Sequence, residues 1–295
     1  MKVIINVDDF GFSQSTNDAV FELAEKGTIT STTVMVNMPF YKQVIELMKY
    51  GNISVGLHFN LTMGKPISDP LYIPSLVDKN DSFYSVNEFK RRALLGKINK
   101  PEVLTELKAQ YNRLKAHIGE ESISHFDSHN DITKFNVVTN ALISLKHELN
   151  LKKSIRVYNK HIIGMNSTKL INMNSPRINT IKFFGLKRTF LELLLIQHTN
   201  KLGNHFTHGD GLILTKSYRA LDIFKYLAEA SLESLTSLEG VFEICCHPAI
   251  TTADLPKTIL THTRVREYEY LKSEEFSKVK EKAQLINYDT LLKHN

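Results

Sequence analysis

Two aspartates stand side by side at positions 8 and 9, directly after the short apolar run Val3-Ile4-Ile5-Asn6-Val7 and before Phe10-Gly11-Phe12. Like charges this close raise each other's pKa unless a cation or hydrogen-bond donors sit between them. A divalent metal would resolve the conflict by taking one carboxylate as a ligand and leaving the other for proton transfer. The same residues also read as an ordinary turn, with Gly11 at a positive φ. Three histidines carry the first reading further. His58, His129 and His247 each fall, like the aspartates, where a strand-like run gives way to loop-like sequence. One carboxylate and two imidazoles make a normal three-ligand set for a catalytic zinc, with a fourth position left for water. Such a set suits an all-oxygen magnesium or calcium site less well. Singly, each histidine has a plainer reading. His58 could be a core residue bonded to backbone, and His247 could cap its strand. His129 has Asp127 and Ser128 beside it as partners to orient a ligating ring. His117, His147, His198 and His294 read as solvated, on helix surfaces or termini.

The elements that would position these residues alternate from the start. Val3 to Val7 reads as a first strand, and Ser15, three residues before Asp18, as the cap of a helix that stops near Gly27. Thr32 to Val36 is a β-branched strand, a helix starts near Tyr41, and Ile53 to Asn60 is a third strand. The Pro-bearing stretch Met63 to Asp81 reads as a loop facing substrate. Helices are expected over Val86 to Leu95, Pro101 to Ile118 and Val137 to Leu149, with strands at Ile123 to His129 and Ser154 to Tyr158 between or after them. From Asn159 to Asn204 the pattern loosens around Phe190, Leu191, Leu193, Leu194 and Leu195, which suggests an insertion or lid. A helix over Ser217 to Leu232, a strand over Val241 to Cys246 ended by His247-Pro248, a helix from Arg264 and a closing strand near Gln284 to Tyr288 complete the chain. This rhythm implies a single α/β domain over 1–295, an irregular (β/α) barrel resembling a TIM barrel, with an insertion near 159–204. In such barrels the strand C-termini gather on one face and build the active site there.

Composition narrows the class without choosing the chemistry. The 295 residues are 42% hydrophobic and 23% charged, as expected of an ordinary soluble globular protein. A net charge of +6 permits an acidic partner but is not the concentrated stripe of a nucleic-acid binder. The only cysteines, Cys245 and Cys246, are adjacent, so a disulfide framework is not expected and a reducing cytoplasm is the simpler setting. Asp8 arrives too early for a secretory leader, and no apolar run is long enough to span a bilayer.

Four ordered segments, Asp8-Asp9-Phe10-Gly11, Gly56-Leu57-His58-Phe59-Asn60-Leu61-Thr62, Asp127-Ser128-His129 and Glu243-Ile244-Cys245-Cys246-His247-Pro248, resemble the signature segments of the YdjC-like carbohydrate deacetylases. Thr30 to Asn37, Glu106 with Gln110, Arg156, and Arg266-Glu267 with Leu271 are also similar to family positions. The resemblance runs over nearly the whole chain. It implies a barrel-like α/β fold, a divalent metal, and removal of an acetyl group from an N-acetylated amino sugar such as a chitin oligosaccharide. The family pattern continues Asp-Ser-His with further histidines, whereas this chain has Asn130-Asp131-Ile132-Thr133.

Taken with the strand-end placement, the resemblance implies that Asp9, His58 and His129 hold one divalent ion, zinc or magnesium. Asp8 would be the general base, His247 would protonate the leaving amine from across the cleft, and Arg156 would keep Asp8 ionised. Arg156 reads equally as a surface arginine at a strand end. The expected partner is the acetylated sugar, with no nucleic acid and no membrane, and a homodimer left open. The sequence is also compatible with two rival readings. One is another metal-dependent hydrolase such as a phosphoesterase. The other is a silent sugar- or nucleic-acid-binding module, for which Lys182, Lys187 and Arg188 beside Phe183 and Phe184 offer a basic, aromatic cluster.

Overall fold

A computed structural model describes residues 2–157, 162–163, 198, 201–214, 240–256 and 261–293 of the chain. Its centre is the strand β1, Lys2–Phe10, which lies inside a parallel sheet. The others are β2 (Ser31–Val34), β3 (Ser54–Phe59), β4 (Ile123–Ser128), β5 (Ser154–Ile155), β6 (Ile162–Ile163), β7 (Gly211–Leu214), β8 (Val241–Cys246) and β9 (Gln284–Leu285). Their order is β5-β4-β3-β2-β1-β8-β7-β6, with β9 paired to the start of β1. The first and the eighth strands are therefore neighbours, as in a curled (β/α) barrel, and this is the fold class expected from the alternating pattern. Every ladder is parallel, so each strand needs a crossover, here supplied largely by helices. Next to β5, Ser154 forms an isolated parallel bridge with Thr207, and Ile155 N donates to the Thr207 carbonyl at 2.9 Å.

Alternation along β1 divides its neighbours. Val3, Ile5 and Val7 face outward and join the main core with Ala19, Val20 and Leu23 of the helix α1, Gln14–Glu25. Ile4 faces the barrel floor with Ile286, Tyr288 and Leu291, and Asn6 and Asp8 point into the polar interior. After the short α2 (Val44–Leu47) and α3 (Val86–Leu94), the helices α4 (Lys100–Ile118) and α5 (Asn136–Leu149) bury Val103, Leu107, Tyr111 and Leu114, and Val138, Ala141, Leu142 and Leu145. Each valine or leucine among them contributes about 1.5–3 kcal/mol when removed from water.

Several boundaries differ from the sequence reading. Helix α1 is capped by Ser13, whose Oγ accepts from Thr16 N at 3.1 Å. Ser15 is instead spent on Asp254 and the Thr251 carbonyl. The helix near Tyr41 is a short 3₁₀ turn followed by Val44–Leu47. The last long helix breaks after Leu271, where Ser273 caps a new one, Glu274–Lys282. Tyr288 opens a helix, Tyr288–Lys293, that the strand reading missed. The loop over 63–81 carries a 3₁₀ turn, Pro70–Tyr72, and is anchored by Glu106, whose carboxylate accepts from Ile67 N and Ser68 N. Of the insertion expected at 159–204, all but 162–163, 198 and 201–204 lies outside the described residues, as do the helix expected over 217–232, the basic cluster at 182–188 and His294. Among the described residues no helix is long and apolar enough to cross a membrane.

Candidate metal centre and catalytic groups

The two aspartates do not follow β1; they lie within it. Val7 pairs with Thr32 and Phe10 with Val34, so three steps along β1 answer two along β2. The extra residue is a bulge, and Asp9 occupies it at φ +68°, a left-handed conformation that costs a non-glycine residue on the order of 1 kcal/mol or more. Regular strands send adjacent side chains to opposite faces. The bulge breaks that alternation, and both carboxylates reach the mouth of the barrel. Gly11 follows at φ +95°, where a Cβ would lie 2.9 Å from the Tyr41 Cα, so the sharp exit from the strand requires glycine.

Asp9 gathers three cationic or metal-binding groups. His58 Nε2 lies 3.2 Å from its Oδ1 and His129 Nδ1 lies 2.9 Å from the same oxygen, while Arg264 bonds Oδ2. The three candidate ligand atoms of Asp9, His58 and His129 fall within 4.8 Å of one another, all on buried residues. Their chemistry fits a divalent ion: one carboxylate oxygen and two imidazole nitrogens converge on one point. His58 Nδ1 is held by Asp127 Oδ1 at 2.6 Å, the carboxylate–imidazole pairing that leaves Nε2 as the ligating atom. Asp127 Oδ2 in turn accepts from Thr33 Oγ1 at 2.9 Å and lies 3.0 Å from Arg156.

Asp8 stands beside this group in a different setting. Arg156 clamps it with two parallel bonds, Nη1 to Oδ2 at 2.8 Å and Nη2 to Oδ1 at 2.6 Å, a geometry only a guanidinium provides. Asn6 Nδ2 donates to Oδ1 at 2.8 Å and Cys245 Sγ to Oδ2 at 3.1 Å. The other side of Arg156 is held by Glu243, which receives Nε at 2.8 Å, and Tyr288 donates to Glu243 Oε2 at 2.5 Å. Arg156 is 4% exposed, so the reading of it as a surface residue is overturned by three carboxylates drawing it inward. His247 lies beside Asp8, Nε2 to Oδ2 3.5 Å, not across a cleft from it, because β8 is the immediate neighbour of β1.

Burial resists charge on both aspartates, and in both the local cations win. Arg156 and His58 hold Asp8 well below the usual carboxylate range, and His129 and Arg264 do the same for Asp9. Burial also works against a charged His58, yet Asp127 and Asp8 push it up to about 10. Asp127 itself is raised by burial against the pull of His58 and Arg156. Below this layer, burial depresses His125 far enough to keep it neutral, with Arg156 adding to the effect.

All six residues singled out from the sequence, Asp8, Asp9, His58, His129, Arg156 and His247, thus come together. Asp127 serves His58, not its sequence neighbour His129, and Ser128 bonds Thr133 instead. Arg264, Glu243 and Tyr288 were missed as parts of the site. Glu243 carried a signal, since it shares a strand face with Cys245 and, beyond the strand's end, His247 at intervals of two. Arg264 and Tyr288 carried none.

A family model described as YdjC-like protein matches residues 2–282. A carbohydrate deacetylase 2 from Listeria innocua serovar 6a is 35% identical over 157 residues, which cover 51% of this chain and 59% of that relative. The chain thus matches less than two thirds of that relative's length. A chitooligosaccharide deacetylase from Yersinia enterocolitica is 29% identical over 228 residues, covering 73% of this chain and 85% of the relative. Among solved structures, one from Enterococcus faecalis V583, described as a candidate cellobiose-phosphate cleavage protein, superposes with a TM-score of 0.68 at 25% identity and covers 98% of each chain.

Proposed function

We propose that this chain, which belongs to the YdjC-like protein family, is a metal-dependent hydrolase that removes the acetyl group from an N-acetylated amino sugar or oligosaccharide. The observation that carries the reading is the pairing of two differently furnished aspartates in one bulge. Asp9 faces two imidazoles, and Asp8 faces a guanidinium and a third imidazole. Relatives named as carbohydrate and chitooligosaccharide deacetylases support the substrate class. We read residues 1–295 as one α/β unit serving this site.

Asp9 Oδ1, His58 Nε2 and His129 Nδ1 would hold the ion. When bound there, a divalent ion would polarise the acetamide carbonyl and acidify water beside it. The remaining chemistry belongs to the chain. Asp8, kept ionised by Arg156, accepts the proton released as water attacks. Its clamp makes it a weak base but a fixed one, so its contribution is position more than basicity. His247 Nε2, 3.5 Å from Asp8 Oδ2, can take up that proton and deliver it to the departing sugar amine, which closes the proton cycle. Asp127 fixes the ring of His58 from behind.

Acetate release from N-acetylglucosamine oligomers tests the reading. Purified protein should lose activity on chelation and recover it with zinc or magnesium. Asp8→Asn and His129→Ala should fold yet lose roughly 10²–10⁴ in kcat/KM, the contribution of a positioned proton-transfer group or more. Wild-type turnover in either variant would sink the assignment. Phosphate release from sugar phosphates without acetate release would move the protein to the phosphoesterase class.

A further inference from the structure

Behind Asp8 lies a second group of donor atoms that the hydrolytic reading uses only in part. Cys245 Sγ is 3.1 Å from Asp8 Oδ2. His247 Nε2 is 3.5 Å from that oxygen and 4.0 Å from the sulfur. A tetrahedral zinc with oxygen and nitrogen at about 2.0 Å and sulfur at about 2.3 Å keeps its donors roughly 3.3–3.6 Å apart. The triangle already present therefore needs shifts of only a few tenths of an ångström.

The fold explains the grouping. Cys245 and His247 sit two apart at the end of β8, so their side chains share a face, and the β1–β8 register of Val7 with Cys246 brings that face to Asp8. All three residues are buried, and neither cysteine is in a disulfide. Glu267 Oε2 accepts from the backbone N–H of His247 at 2.5 Å and fixes the residue from behind. The ring's Nδ1 has no hydrogen-bond partner among the described residues, so no acceptor there dictates which nitrogen carries the proton.

We propose that Asp8, Cys245 and His247 form a second site, inhibitory and specific for thiophilic divalent cations such as zinc or cadmium, which shares no ligand with the Asp9, His58 and His129 group. Binding exchanges the sulfur–hydrogen bond for a sulfur–metal bond, and the proton leaves to solvent; nothing is oxidised or reduced. The thiol then no longer donates to Asp8 Oδ2, and the lone pair that received it turns to the cation. Arg156 keeps both of its bonds to Asp8 throughout. The thiolate offsets part of the added positive charge beside that guanidinium. Magnesium, a hard ion that prefers oxygen ligands, does not fill the site. Inhibition follows if Asp8 and His247 transfer protons as set out above, and that part alone rests on the proposed function.

Cadmium titration of the chelator-treated full chain tests the site without reference to activity. A thiolate-to-metal charge-transfer band in the ultraviolet should saturate at one sulfur-bound cadmium per chain in the wild type and in Cys246→Ser. It should be absent in Cys245→Ser and in Cys245→Ala, and weakened at least about tenfold in affinity in His247→Ala. No band in the wild type, or a band that survives loss of Cys245, overturns the site. In a second arm, zinc added beyond the first equivalent should slow acetate release by the wild type, magnesium should not, and Cys245→Ser should raise the inhibitory zinc concentration at least about tenfold. Equal zinc sensitivity in that variant overturns the inhibitory role. Absence of any acetate release would count against the deacetylase reading and leave the cadmium result to stand by itself.

Discussion

Asp9 places both imidazoles on one oxygen and Arg264 on the other, so the centre is held together by charges that the proposed ion would have to rearrange. His58 bears the consequence. Held near 10 by Asp127 and Asp8 despite its burial, it is an imidazolium at neutral pH, and a ligating Nε2 must first give up its proton. Metal uptake at neutral pH is therefore expected to release about one proton from this ring. The affinity should rise about tenfold per pH unit until pH approaches 10. Calorimetric titration in buffers of different ionisation heat measures the proton directly, and a buffer-independent heat would refute the assignment. The same shift acts on folding. A histidine with a raised folded-state pKa stabilises the folded protein fully below about 6.5, its unfolded value, and the benefit fades as pH rises toward about 10. At this scale, the identities of Asp8, Asp9, His58, His129 and His247 were legible because they cluster at strand ends in the sequence. Their partners were less so. Adjacency pointed Asp127 toward His129, whereas strand geometry gives it to His58 on the neighbouring strand. Arg264 meets Asp9 across 255 residues with no spacing to announce it.

The interior strand faces explain why two elements tolerate little change. His125 of β4 is the register partner of Gly56 on the adjacent β3, and a Cβ on Gly56 would lie 2.6 Å from its ring. The ring has nowhere to go. Ser124 Oγ holds Nδ1 at 2.7 Å, Ser31 and Asn6 approach Nε2, and Tyr288 stacks on its face with centroids 3.7 Å apart. Gly56→Ala is expected to cost about 1–3 kcal/mol, the usual price of overpacking a filled core, read as a lower denaturation midpoint in urea with an unchanged slope. A wild-type midpoint would mean that the ring yields freely. Because Asn6 also bonds Asp8, the variant should lose turnover beyond what its stability explains. The elements were legible where periodicity was long, as in α4 and α5, and less so where tertiary contacts reset a boundary. The run Val3 to Val7 extends to Phe10 because the bulge keeps Asp8 and Asp9 within the ladder. Ser15 lost the cap of α1 because Asp254, distant in sequence, claims its hydroxyl and backbone N–H.

For the molecule as a whole, the order of strands makes the beginning and the end of the described chain one structure. β1 lies between β2 and β8, and β9 takes the free edge at its start. The alternating rhythm revealed this closure in outline, since strand-to-helix periodicity is local. It could not reveal the floor, which depends on Tyr288 meeting residues far from it in sequence. Tyr288 N donates to Ser54 Oγ at 3.1 Å, its ring covers His125, and its hydroxyl holds Glu243. Glu243 holds Arg156, and Arg156 holds Asp8. Tyr288→Phe should therefore destabilise the fold by about 1–3 kcal/mol, the cost of leaving the Glu243 carboxylate short of a donor. As the loss of a positioning residue it should lower kcat with KM little changed, whereas an unchanged kcat would confine Tyr288 to packing. A deletion of residues 284–295 asks more of the barrel. Ile286, Tyr288 and Leu291 are buried against Ile4, and at about 1.5–3 kcal/mol for each side chain their loss removes about 5–9 kcal/mol. That is comparable to the whole stability of a typical domain, about 5–15 kcal/mol. The truncated chain should show no cooperative melting transition by circular dichroism, while the full chain melts cooperatively. A truncated chain that melts like the full one would mean that the barrel floor is sealed without its last segment.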